Sequence, residues 1–265
     1  MYHYMSLNEA LQDFSIIGDV IIWPNIEDDF ERIKKVAHYF DDSDLSDDDF
    51  GLHVSEIIDM LLASSFFSRL SFNLPKKPGI KEPTIQHIQK ALLSIDTEVV
   101  ISTLIENGID EETANSFYKP IFRWVIFFHD LAKAVSPLDS RHEIRSALIA
   151  RRFFEYCNTG LNETIYSEEF ITTLEALCKN HHLFQRISEY YSIDDEHPDL
   201  TQVSNPKEFE TVVGWELDDI GKIWLWILYL FTIVDAGTNE KYQKYIIKNY
   251  FLMRTVLENF FSREP

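Results

Sequence analysis

Along most of this 265-residue chain, apolar residues recur every third or fourth position, and the residues that interrupt helices are scarce, with eight Gly and nine Pro. That period lays apolar side chains along one stripe of an α-helix, whereas a strand alternates its faces every second residue. The chain is therefore expected to be all-α, with long helices and short loops. Helices are expected near 27–39, 53–69, 84–107, 111–133, 140–157, 167–183, 216–236 and 239–262. Gly108 and Gly237 are placed as C-terminal caps, and Asp139-Ser140 as the start of the 140–157 helix.

Three stretches depart from this pattern. "SIIGDVIIW" at 15–23 sets β-branched residues around a Gly and is expected to form a short strand or packed loop in a small N-terminal cap. "DDSDLSDDDF" at 41–50 is acidic but lacks the Gly and terminal Glu of an EF-hand loop, so a solvated loop is expected. The segment 184–210, with Pro198, Pro206 and many acids and tyrosines, reads as a long connection of the kind that often covers active sites. Its Tyr190, Tyr191 and His197 are assigned no role. At 45% hydrophobic, the chain can bury one large interior, expected as an N-terminal extension over 1–50 and a domain over 51–265.

Cys157 and Cys178 match neither a disulfide framework nor a Cys-rich zinc site, which suits a reducing, cytoplasmic compartment. The start Met-Tyr-His-Tyr-Met lacks the basic and apolar regions of a signal peptide. The longest apolar run, Ile223 to Val234, is too short to span a bilayer, so no membrane partner is expected. A net charge of -20 argues against broad binding of duplex nucleic acid, whose affinity comes largely from Lys and Arg neutralising phosphates. Small substrates fit that charge better. Single-stranded nucleic acid is disfavoured by it, although metal ions and a few arginines can make one cleft positive. No basic tail, repeat or coiled-coil heptad points to a particular partner.

Within this frame, the apolar run Trp124-Val125-Ile126-Phe127-Phe128 closes on His129-Asp130 and continues through Leu-Ala to Lys133. In a helix these three polar residues share one side, so an imidazole, a carboxylate and an ammonium face a common point. A single buried histidine is usually a hydrogen-bonded core residue. Here, ligand-type residues recur on segments that read as separate helices: His142 in Arg141-His-Glu-Ile-Arg145, the pair His181-His182, and Asp235 in Ile-Val-Asp-Ala-Gly237.

This order and its local sequences resemble the HD superfamily of metal-dependent phosphohydrolases, from about residue 50 to about residue 240. "FFHDLAKAVSPLDSRHEIRSALIARRFF" is similar to the HDxxK…HE…SA segment of HD domains such as those appended to bacterial tRNA nucleotidyltransferases. "CKNHHLF" resembles their His-His helix end, and "LFTIVDAGT" their last-ligand helix. The resemblance implies an HD-domain helical bundle and also an earlier histidine ligand. His53 is preferred for it, because Ile57 and Leu61 continue its side of an apolar helix in "GLHVSEIIDMLL". His87 in "TIQHIQKALLSI" lies off the stripe Ile85, Ile88, Leu92 and Ile95 and reads as a surface or structural histidine.

In the scheme the resemblance implies, His53, His129 and Asp235 hold one ion, His142, His181 and His182 hold another, and Asp130 is shared. Imidazole and carboxylate without thiolate suit two divalent transition-metal ions: manganese, iron, cobalt, nickel or zinc. Such a pair activates water and stabilises the entering and leaving oxygens at phosphorus. Asp130 and Lys133 are the expected catalytic residues. Lys133 would lie near the reacting oxygen or a substrate phosphate, or would simply pair with a neighbouring acid. Arg145 is the expected substrate-binding residue, gripping a phosphate; with Arg141, Arg151 and Arg152 it reads equally as a solvated basic face pairing with acids.

The expected activity is hydrolysis of a phosphate mono- or diester, a nucleotide or related small molecule. The Gly-Tyr-Pro signature that follows the His-His pair in cyclic-di-GMP phosphodiesterases is replaced here by Leu-Phe-Gln-Arg. Three alternatives stand beside this one. They are an HD-type nuclease on single-stranded nucleic acid, resembling the CRISPR-associated ones, an HD-fold di-iron oxygenase resembling myo-inositol oxygenase, and a non-catalytic HD module.

Overall fold

The computed structural model describes residues 26–64, 67, 83–134, 141–161, 165–193, 200–236 and 243–261, and among them every regular element is helical. The order is α1 (Ile26–Asp41), α2 (Asp47–Leu62), α3 (Thr84–Leu93) and α4 (Thr97–Glu106). A turn at Glu111–Thr113 and a π-helical stretch at Ala114–Tyr118 lead into α5 (Lys119–Phe128), followed by a 3-10 turn at Leu131–Ala134. Then come α6 (His142–Leu161), α7 (Glu168–Lys179), α8 (Leu183–Tyr190), α9 (Pro206–Val213), α10 (Asp219–Ala236) and α11 (Gln243–Val256), with Leu257–Phe261 continuing as a π-helix.

Capping chemistry accounts for where the helices begin and end. The Ser46 hydroxyl accepts the Asp49 N–H at 3.1 Å, and Asp47, Asp48 and Asp49 fill the first turn of α2, where negative charge suits the helix dipole. The acidic stretch expected as a loop is thus loop only over 42–46. The single helix expected over 84–107 is two, because Asp96 caps α4 by accepting the Val99 N–H at 3.1 Å, and the Thr97 N–H turns away to Asp47 at 2.5 Å. Gly108 ends α4 as expected: at φ +95° its N–H reaches the Ile105 carbonyl, and the Ile109 N–H reaches that of Leu104, the paired bonds of a Schellman cap.

The region 184–210 is not one long connection. It holds α8 and α9, the latter opened by Pro206 in its first turn and closed by Gly214 at φ +87°. "SIIGDVIIW", Asp139-Ser140, His197 and Gly237 lie outside the described residues.

The core forms around α5, which is buried at every position, including Lys119 and Arg123. Trp124 stacks on Phe40 of α1, ring centroids 3.9 Å apart, and meets Phe154 of α6 edge-on at 5.1 Å. The two buried cations satisfy carbonyls of the α1–α2 loop, Lys119 donating to Ser43 at 2.6 Å and Arg123 to Leu45 at 2.7 Å. Ile33, Val36 and Phe40 of α1 belong to the same apolar cluster as α5, and a boundary between 50 and 51 would cut α2. Of the extension expected over 1–50, the described residues 26–50 are built into the main core. Cys157 and Cys178 are free and buried. Among the described residues, no helix is long and apolar enough to cross a membrane.

Candidate metal centre

At its C-terminal end, α5 delivers His129 and Asp130 into the interior. His129 caps the helix, its N–H bonded to the Val125 carbonyl, and both side chains are inaccessible to solvent. The chain then tightens into the 3-10 turn, where the Lys133 N–H returns to the Asp130 carbonyl at 2.9 Å. The Ser146 hydroxyl accepts the Ala132 N–H at 3.0 Å, tying this turn to α6, whose first residue is His142. Helix α7 packs along α6 and ends in the turn that carries His181 and His182. Asn180 caps α7, and the Arg186 guanidinium donates to its side-chain oxygen. Asp235 arrives one residue before the end of α10.

These elements bring together two groups of side chains that could hold a metal ion, each with its ligand atoms within 4.8 Å of one another: His87, His129, Asp130 and Asp235, and Asp130, His142, His181 and His182. In the first group, Asp235 Oδ1 lies 2.8 Å from His87 Nε2 and 3.2 Å from His129 Nε2. In the second, His142 Nε2 lies 3.3 Å from His181 Nε2 and 3.2 Å from His182 Nε2. Asp130 belongs to both and divides its oxygens between them. Its Oδ2 is 3.6 Å from His87 and His129, and its Oδ1 is 3.3 Å from His142 and 3.7 Å from His181.

The donor chemistry fits a cation. A carbonyl oxygen only accepts, so His129 Nδ1 donates to Ile126 and His181 Nδ1 donates to Cys178, each at 2.7 Å; in the neutral rings this leaves both Nε2 lone pairs facing the cluster. Burial holds His181 well below the usual imidazole range and lowers His182 to about 4, so both rings are neutral and ready to donate lone pairs. Glu143 Oε2 lies 3.5 Å from His142 Nδ1, adding a carboxylate beside that ring. Three helices, α5, α7 and α10, end at the cluster, and the partial negative charge of helix C-termini also favours a cation there.

His129, Asp130, His142, His181, His182 and Asp235 therefore come together in the two sets anticipated from sequence. His53 does not join them. It stands half-exposed on α2, stacked on Tyr39 at 4.5 Å and 3.5 Å from Glu56, and the ligand position expected for it is occupied by His87. The reason lies in packing. Helix α2 packs mainly against α1 and α3 and meets α5 through Asp47 and Phe50 near its N-terminus, whereas α3 packs against both α5 and the 3-10 turn that follows it. The buried face of α3 is Thr84, His87, Ile88, Ala91 and Leu92. Small residues three before and four after His87, Thr84 and Ala91, allow that close approach and were the available signal.

Lys133 Nζ sits 2.5 Å from Asp130 Oδ1. Arg145 is half-buried one turn along α6 from His142. Of the neighbouring arginines, Arg151 binds Glu155, Glu168 and Glu175, and Arg152 binds Glu155. Sequence reasoning could not find the backbone carbonyls of Ile126 and Cys178, because any residue supplies one. No family model, curated protein or solved structure matches this chain.

Proposed function

We propose that this chain is a metal-dependent phosphohydrolase of the HD type, acting on a phosphate mono- or diester of a nucleotide or similar small molecule. One observation carries the reading. Five imidazoles and two carboxylates, brought from five separate stretches of an all-α core, converge as two adjacent ligand sets that share Asp130. A purely structural cluster would not need so many acceptor nitrogens facing one another in a largely buried interior.

In this reading His87, His129, Asp130 and Asp235 hold one divalent ion, and Asp130, His142, His181 and His182 hold the other. Bound there, the ions would activate water and stabilise charge developing on phosphate oxygens. The chain's own groups do the rest. His129 and His181 form the closed floor, while Asp235 and His182 are more exposed, so substrate approaches from their side. The carbonyls of Ile126 and Cys178 keep protons on the outer ring nitrogens. Lys133 places an ammonium beside the shared carboxylate, within reach of an anionic phosphate. Arg145 is the guanidinium of this helix end that would grip a second phosphate oxygen.

The test is elemental analysis of purified protein together with hydrolysis of bis-p-nitrophenyl phosphate after adding manganese, iron, cobalt, nickel or zinc. About two metals per chain and metal-dependent nitrophenol release, lost in Asp130→Ala, are expected. Tightly held iron without hydrolysis would replace this reading with the oxygenase. Absence of both metal and turnover would leave a binding module.

A further inference from the structure

We propose that Lys133 makes the two metal positions unequal: the one formed by His87, His129, Asp130 and Asp235 loads first, and the one formed by Asp130, His142, His181 and His182 loads second, by displacing the Lys133 ammonium from Asp130. This rests on the dinuclear reading above and adds an order of loading and a metal preference to it.

The carboxylate of Asp130 is divided between the two sets. Oδ2 faces His87 and His129, and Oδ1 faces His142 and His181. Lys133 Nζ lies 2.5 Å from Oδ1, the oxygen that serves the second set. An ion entering the first set meets two carboxylates, Asp130 and Asp235, and two imidazoles. An ion entering the second set meets three imidazoles and one carboxylate oxygen that already carries a cation. Coulomb attraction therefore favours the first position and repulsion from the ammonium penalises the second, in an interior where neither is well screened.

Ligand type separates the two further. Two oxygens and two nitrogens accept hard and borderline ions alike, including manganese. Three imidazoles with one contested oxygen favour zinc, nickel or cobalt over manganese. The ammonium is held without being fixed in place, since it ends a flexible four-carbon stem and starts from a short 3-10 turn at the edge of the cluster. Asp130 itself is anchored between both sets. Lysine is thus the member of the pair that gives way, and once displaced its charge is free for a substrate oxygen.

The experiment is calorimetric titration of metal-free protein with zinc and with manganese, with bound metal counted by mass spectrometry, for wild type, Lys133→Met and Lys133→Arg. In wild type, zinc is expected to bind in two separated steps and manganese in one tight step. Lys133→Met should tighten the second zinc step by at least roughly tenfold while leaving the first within about threefold, and Lys133→Arg should keep the gap. Histidine ring resonances of the wild type give the order without any variant: the first equivalent of zinc should shift His87 and His129, and the second His142, His181 and His182. Two ions entering with affinities indifferent to Lys133→Met, or shifts in the reverse order, would overturn the loading order and leave the dinuclear reading standing. If no variant binds zinc at all, both fall together. Should Lys133→Met fail to fold, the resonance order in wild type decides alone.

Discussion

His87 Nε2 and Asp235 Oδ1 stand 2.8 Å apart although 148 positions separate them in sequence. The contact joins the first turn of α3 to the last turn of α10 and, through Asp235, to His129. It places His87 where a local pattern had favoured His53.

The two histidines are therefore expected to separate cleanly on substitution. His87→Ala should lower the bound metal from about two ions to about one and reduce metal-dependent hydrolysis by roughly a hundredfold or more. His53→Ala should leave both unchanged, since that ring stacks on Tyr39 beside Glu56 and joins neither ligand set. Loss of metal in His53→Ala with retention in His87→Ala would reverse the assignment.

Metal should also stabilise the fold, because ligands gathered from α3, α5, α6, α7 and α10 are dispersed in the unfolded chain. At free metal of a hundred times its dissociation constant, binding to one site contributes about 2.7 kcal/mol. Thermal unfolding followed by circular dichroism should show a raised midpoint on adding zinc and its reversal by a chelator. In Asp130→Ala the shift should vanish with the helical signal intact. An unchanged midpoint in wild type would speak against a metal centre.

Asp41 makes stability depend on pH away from the centre. Its carboxylate accepts from the Tyr166 hydroxyl at 2.6 Å and from Trp124 Nε1 at 2.8 Å, yet burial pushes its pKa up to about 6, from an ordinary value of 3.8. Between those values the folded state holds the proton and the unfolded state does not, so this group's contribution to stability falls as pH rises. The cost is complete above pH 6 and amounts to about 3 kcal/mol. His182 works in the opposite sense: depressed to about 4 by burial, it lowers stability as pH falls through 6.5 toward 4 in the metal-free protein. The informative quantity is thus the difference between Asp41→Asn and wild type. In urea unfolding, Asp41→Asn should gain relative to wild type from pH 4 to pH 7, and a flat difference would contradict the assignment.

Arg151 spans α6 and α7, contacting Glu155 at 2.8 Å, Glu168 at 2.6 Å and Glu175 at 2.9 Å. Its side chain is 27% exposed, so solvent screens part of the attraction. Arg151→Met should cost about 1 kcal/mol of stability. Metal content and hydrolysis should be untouched. A specific rise in KM would move this arginine from the helix interface to substrate binding.

Much of the helical architecture was legible in the sequence because it depends on local periodicity. The apolar run before His129 became the fully buried α5, and Gly108 closed α4 with the left-handed turn that only glycine adopts without strain. Where the helix boundaries differ from expectation, a capping side chain or a contact to another segment sets them. Asp96 and the Thr97–Asp47 contact divided one expected helix into two, and Ser46 began α2 inside an acidic run. Proline and acids in 184–210 suggested a loop, yet Pro206 in a first helical turn favours a helix as readily as it ends one.

For the candidate centre, sequence alone determined the residue types and their order, because His129-Asp130, His142, His181-His182 and Asp235 each sit at or beside a helix end that local signals define. Tertiary structure decided that His87 and not His53 joins them, that Asp130 turns one oxygen to each set, and that Lys133 rests on the oxygen serving the second. The physical reason is that a helical period sets the face a side chain occupies on its own helix. Which other helix meets that face depends on how the apolar stripes of all the helices are buried together, and α3 is the helix buried along α5 and against the turn that follows it.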